Sequence, residues 1–250
     1  MNINEFYNSI TVVGDSNAPF FAGHECTYVI QENMPPLLHS DKISFSFDLG
    51  TPCLSFYQES TIYSFTNKNI DEYYNKIVEI CKDKKYLFII FGTNDCVARI
   101  NNNVDYSEYV VTLELYMKKV NDLVENLKKV SNIKKAIILS PTKASKRIYT
   151  DERLLKVAEG YRIQNLETRF VDFNIISNTV NFTGDYLFNN FSKYKNNIVG
   201  MPCHNILSKS GDEIEDRYTI DGIHLNYRGV DFLKKYIYTV LREAGKLNDN

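Results

Sequence analysis

At 250 residues, with 44% hydrophobic and 24% charged side chains, the chain has a globular composition, which excludes an intrinsically disordered one. Its formal net charge of −2 lacks the basic excess of a nucleic-acid binder. Cys26, Cys53, Cys81, Cys96 and Cys203 are odd in number and form no C-x-x-C pair. Zinc knuckles and a disulfide framework are therefore not expected, and a reducing compartment fits.

The start, "MNINEFYNSI", has neither the basic nor the apolar region of a secretory signal, so a cytoplasmic protein is expected. The apolar run at 10–13 (ITVV) predicts a buried strand, and 43–49 (ISFSFDL) alternates as a half-covered one does. Residues 69–84 carry Ile70, Tyr73, Tyr74, Ile77 and Ile80 on one helical face. The longest apolar stretch, 86–92 (YLFIIFG), reads as a third strand and is far too short to span a membrane. A long helix over 105–130 follows, with Asp105 as its cap, then a strand at 136–140 (AIILS). Next come a helix over 151–170, weakened by Gly160, and a fifth strand at 169–173 (RFVDF). Residues 175–220 break this rhythm and read as an inserted lid or substrate wall in an otherwise single domain spanning 1–250. A helix over 226–245 closes the chain, with Gly245 as its stop. Strands alternating with helices predict a three-layer α/β/α fold around a mainly parallel five-stranded sheet. The abundance of Tyr (18) and Phe (15), with no Trp, suits a ring-rich core.

Ligands of open parallel sheets gather at the carboxyl ends of the strands. The residues following each predicted strand there include Gly14-Asp15-Ser16, Gly50, Gly92 with Asn94 and Asp95, and "SPTKASKR". "DGIHLN", with Asp221 and His224, stands just before the last helix. Acyl transfer needs such a set. A serine hydroxyl is a weak nucleophile until an imidazole takes its proton, and a carboxylate must hold that imidazole in the right tautomer. The oxyanion needs donors, which the Ser16 and Gly50 N–H groups and the Asn94 amide could supply. Each residue also has a plainer role: Ser16 as a helix cap, His224 as a loop histidine, Asn94 as a turn brace. Asp95 is expected to bind nearby N–H groups, and Cys96 to be an inert buried thiol. Arg99, Lys143, Lys146 and Arg147 fall on the same rim and could hold an anion, with a solvated loop as the default. His24, His39 and His204 lack a carboxylate at the spacing of Asp221 and His224.

In order, "GDS" at 14–16, Gly50, "GTND" at 92–95 and "DGIH" at 221–224 resemble the blocks of the SGNH hydrolases, the GDSL-type esterases and lipases. "GDSNAPFF" and "FGTNDCVARI" look more like SGNH domains found with bacterial surface-polysaccharide genes than like secreted lipases. The resemblance implies a flavodoxin-like fold and a triad of Ser16, His224 and Asp221. It also implies an oxyanion hole of Ser16, Gly50 and Asn94, with no metal and no cofactor. The chain departs from the family at Asn17, where Leu is common, and at Gly50, which lacks the fuller Asn-x-Gly pattern. The expected substrate is a small-molecule or carbohydrate acyl ester, most simply an O-acetyl ester, with no nucleic-acid partner. The alternatives are an acetyl-CoA-dependent glycan O-acetyltransferase using the same triad and a catalytically inactive carbohydrate-binding module. Nothing in the sequence sets an oligomeric state.

Overall fold

The computed structural model describes residues 1–15, 17–22, 51–55, 61–66, 70–146, 173–194, 197–208, 213–219 and 222–247. In chain order these form α1 (Ile3–Asn8), β1 (Ile10–Gly14), α2 (Ala18–Phe21), β2 (Cys53–Ser55), α3 (Ile62–Ser64), α4 (Ile70–Cys81) and β3 (Tyr86–Ile90). There follow α5 (Thr93–Asn101), α6 (Tyr106–Val130), β4 (Lys135–Leu139), α7 (Phe173–Phe191), β5 (Ile198–Met201), α8 (Cys203–Ile206) and α9 (Tyr227–Glu243).

The strands pair in the order β2-β1-β3-β4-β5, and every pairing is parallel. β1 and β3 are buried along their whole length, as strands covered on both faces must be. Their side chains alternate between two cores. Val13, Leu87, Ile89, Ala136 and Ile138 pack with Ile77 of α4, Leu113 and Val120 of α6, and Leu187 of α7. Val12, Phe88, Ile90, Ile137 and Leu139 pack with Phe6 of α1, Phe21 of α2, and Leu233 and Ile237 of α9. Helices thus cover both faces of the sheet, giving the three-layer α/β/α architecture.

Local chemistry sets the helix ends. Asp105 accepts the Glu108 N–H at 2.9 Å and starts α6. Asn226 accepts the Arg228 and Gly229 N–H groups at 2.9 and 3.1 Å and starts α9. Beyond α9, Gly245 takes a positive φ of 64°. α1, which the sequence analysis did not predict, carries a capping box formed by Asn2 and Glu5.

Among the described residues the fifth strand is Ile198–Met201, which the sequence analysis did not predict. Of the strand expected at 169–173 only Phe173 is described, and it begins α7; 169–172 lie outside the described residues. Within the segment expected as a lid or substrate wall, α7 covers one core and β5 pairs with β4. The helical pattern of α7, with Ile176, Val180, Thr183, Leu187 and Phe191 buried, is masked by Asn and Thr, which disfavour helices. Here the Thr179 and Thr183 hydroxyls donate back to the Ile175 and Thr179 carbonyls, at 3.0 and 2.8 Å, and so fit within the helix. The strand expected at 43–49 and the helix expected at 151–170 lie outside the described residues. Among those described, no helix is long and apolar enough to cross a membrane.

Candidate active site

The strand order reverses direction between β1 and β3, and in open α/β sheets that point opens a crevice at the strand ends. Here the two strands meet closely. The Asp15 N–H donates to the Ile90 carbonyl at 2.9 Å, and a Cβ on Gly14 would collide with that carbonyl, so only glycine fits. After β3, Gly92 has a φ of 122° and is the N-cap residue of α5, with Asn94 in the first turn. Asn94 is half-buried.

His224 is buried in a bend between Gly222 and Leu225, ahead of α9. Three sets of bonds hold that bend. Leu225 bridges back to Thr219, and the Asn226 amide donates to the Arg217 and Thr219 carbonyls at 2.9 and 3.0 Å. The Ser145 N–H, from the segment after β4, donates to the Gly222 carbonyl at 2.7 Å. The Leu225 N–H donates to Asn17 Oδ1 at 3.2 Å. Segments that follow β1 and β4 are therefore tied directly to the histidine bend. Ser16, Gly50, Asp221 and Arg147 lie outside the described residues, as do His24 and His39.

Two buried carboxyls underlie this rim. Burial pushes Asp15 up to about 7, against the Asn17 N–H, which donates to Oδ1 at 2.9 Å, and against the electrostatic pull of the His224 side chain. Asp15 thus lies within electrostatic reach of the His224 imidazole. Asp95, also raised to about 7 chiefly by burial, receives the Ile62 N–H on both oxygens at 2.8 Å and feels the charge of Asp15. The bracing role expected of Asp95 is what the structure shows, joining α5 to α3.

The other rim residues fare differently. Cys96 is buried, and despite its place in the first turns of α5 its thiol is pushed up to about 12 by burial. Arg99 lies over the Tyr106 ring at 3.6 Å and donates to Thr179 Oγ1 at 3.3 Å, within the α5–α7 contact. Lys143, for which a solvated loop was the default, is only 1% exposed. Lys146 is exposed, and its ammonium lies 4.0 Å from Glu213.

A serine–histidine–carboxylate set escaped the sequence analysis. The buried His204 places Nδ1 at 2.9 Å from Ser140 Oγ and Nε2 at 3.0 Å from Asp185 Oδ1. Its ring is sealed, and a Cβ on Gly184 would overlap it, so this set joins α8 to β4 and α7 and offers no substrate access. The 19-residue gap between Asp185 and His204 carries no motif signal. Among the described residues, no cluster of His, Cys, Asp or Glu could hold a metal.

No protein-family model and no curated protein matches the chain. Among solved structures, it is similar to a GDSL-like lipase from Bacteroides thetaiotaomicron at 15% identity and a TM-score of 0.45, covering 96% of this chain and 90% of that one. It is also similar to a catalytic mutant of an acetylxylan esterase from Geobacillus stearothermophilus, at 12% identity and a TM-score of 0.44, covering 96% of each chain.

Proposed function

We propose that the chain is a serine-dependent O-acyl ester hydrolase. Ser16 attacks the ester carbonyl while His224 takes the hydroxyl proton, with Asp221 orienting the imidazole. The Ser16 and Gly50 N–H groups and the Asn94 amide hold the oxyanion. His224 then gives its proton to the departing alcohol, leaving an acyl-enzyme. Water, deprotonated by His224, attacks that ester and releases the acid and the free serine. These steps use only side chains, backbone amides and water. A small or carbohydrate O-acetyl ester is the preferred substrate class.

The observation that carries this reading is the hydrogen bond from the Leu225 N–H to Asn17 Oδ1. It binds the residues flanking His224 and Ser16 in sequence, from opposite ends of the chain, at the carboxyl end of β1. That arrangement supports the motif reading, because a chance match of G-D-S and D-x-x-H carries no reason for the two segments to touch.

Hydrolysis of p-nitrophenyl acetate tests the proposal. Ser16→Ala is expected to lower kcat by at least about a thousandfold with the fold retained. A fluorophosphonate is expected to label Ser16 in the unsubstituted protein. Turnover unchanged in Ser16→Ala would overturn the assignment. Supplying acetyl-CoA with a sugar acceptor, and following where the acetyl group goes, separates hydrolysis from transfer.

A further inference from the structure

We infer that Asn17 is a positioning residue for the catalytic histidine, an inference that rests on the proposed role of His224. Asn17 is buried, and three of its polar groups have a task. Its N–H donates to Asp15 Oδ1 at 2.9 Å. Its carbonyl accepts the Phe21 N–H at 2.9 Å and so begins α2. Its side-chain oxygen accepts the Leu225 N–H at 3.2 Å, across 208 positions of sequence.

That last bond has a specific mechanical consequence. Leu225 is anchored on one side by its side chain, fully buried in the core beneath α9, and on another by its bridge to Thr219. The Asn17 amide adds a polar tie from the bend to the segment after β1, through a single acceptor one residue from the proposed nucleophile and a donor one residue from the proposed base. Misplacement of a reacting group by about 1 Å can cost about a hundredfold in rate, so a tie of this kind controls turnover more than substrate affinity. Leucine, common at this position in the family the motifs resemble, has no acceptor for the Leu225 N–H. This chain therefore uses polarity where an apolar side chain serves elsewhere.

The experiment compares Asn17→Leu, which removes the acceptor while keeping the branch at Cγ, with Asn17→Asp, which keeps an oxygen in the same place. Folding is checked by thermal denaturation. Asn17→Leu is expected to lower kcat for p-nitrophenyl acetate about ten- to a hundredfold with KM within about twofold. Fluorophosphonate labelling of Ser16 should slow in parallel. The acidic limb of its pH–rate profile should shift, because the imidazole has a new setting. Asn17→Asp should recover most of the loss. Should Asn17→Leu not fold, Asn17→Ala, also without an acceptor, takes its place. Wild-type kcat and labelling in a folded variant without the acceptor would overturn the inference, as would a loss in Asn17→Asp equal to that in Asn17→Leu. These outcomes leave the hydrolase reading standing, which fails instead if Ser16 in the unsubstituted protein is neither labelled nor needed.

Discussion

Asp95 holds the Ile62 N–H between its two oxygens at 2.8 Å, buried beneath the proposed site, and this sets a pH dependence with a defined sign. Burial raises its folded-state pKa from 3.8 to about 7, so the folded chain keeps a proton that the unfolded chain releases. The resulting stability is complete below about pH 4 and is lost as pH rises through about 7. Asp95→Asn keeps the acceptor oxygen without the titration. Its stability relative to the unsubstituted protein should therefore increase between about pH 4 and about pH 8, measured by urea denaturation across that range. A difference that stays constant with pH would show that Asp95 does not titrate in this window. At this scale the sequence was uneven as a guide. The G-x-N-D pattern pointed to Asp95 as a brace, because an acid beside a strand-to-helix turn has N–H groups within reach. Asn17 was visible only as a departure from a family pattern. Its partner lies at the far end of the chain, and no local spacing encodes that contact.

The last helix shows how an element is tuned by what precedes it. Helix propensity favours Ala over Gly by up to about 1 kcal/mol, so Gly229→Ala in the first turn of α9 should be stabilising on that ground. The packing reverses the sign. A Cβ at 229 would stand 2.6 Å from the Tyr218 carbonyl oxygen, which also accepts the Asn226 N–H at 3.0 Å. Backbone cannot rotate away as a side chain can, so the helix must move off the 216–219 turn. Gly229→Ala is expected to destabilise the protein by about 1–3 kcal/mol, read as a lower urea midpoint with an unchanged slope. A midpoint at or above that of the unsubstituted protein would mean the turn yields freely. Elements with one dominant signal were legible: the buried runs of β1, β3 and β4, and α6 with its Asp105 cap. α7 and β5 were not, because Asn and Thr interrupt the apolar stripe of α7 and β5 has only four residues. Their identity comes from pairing and packing with β4 and the core.

Across the whole molecule, one sheet serves as the wall of both cores, so neither core can open without exposing strands of the other. Four cysteines report on this. Cys81 lies in the core with α4, α6 and α7, whereas Cys53 and Cys203 lie in the core beneath α9. Cys96 sits in a small cluster between α5 and α7. All four are free and buried, and burial pushes each thiol up to about 12, so the reactive thiolate is scarce in the folded state. Modification therefore waits on opening. If the domain opens as a unit, the four should be alkylated by iodoacetamide at one common rate, set by global unfolding and rising together with added urea. Mass spectrometry of peptides after timed quenching resolves the individual rates. Cys53 is the critical comparison, since it belongs to the three-residue strand β2, which among the described residues lies at the edge of the sheet and pairs only with β1. Faster labelling at Cys53, with the other three still protected, would show that the β2 edge opens separately from the sheet. Equal rates at all four would establish that both cores, and the rim they support, rise and fall in one cooperative transition.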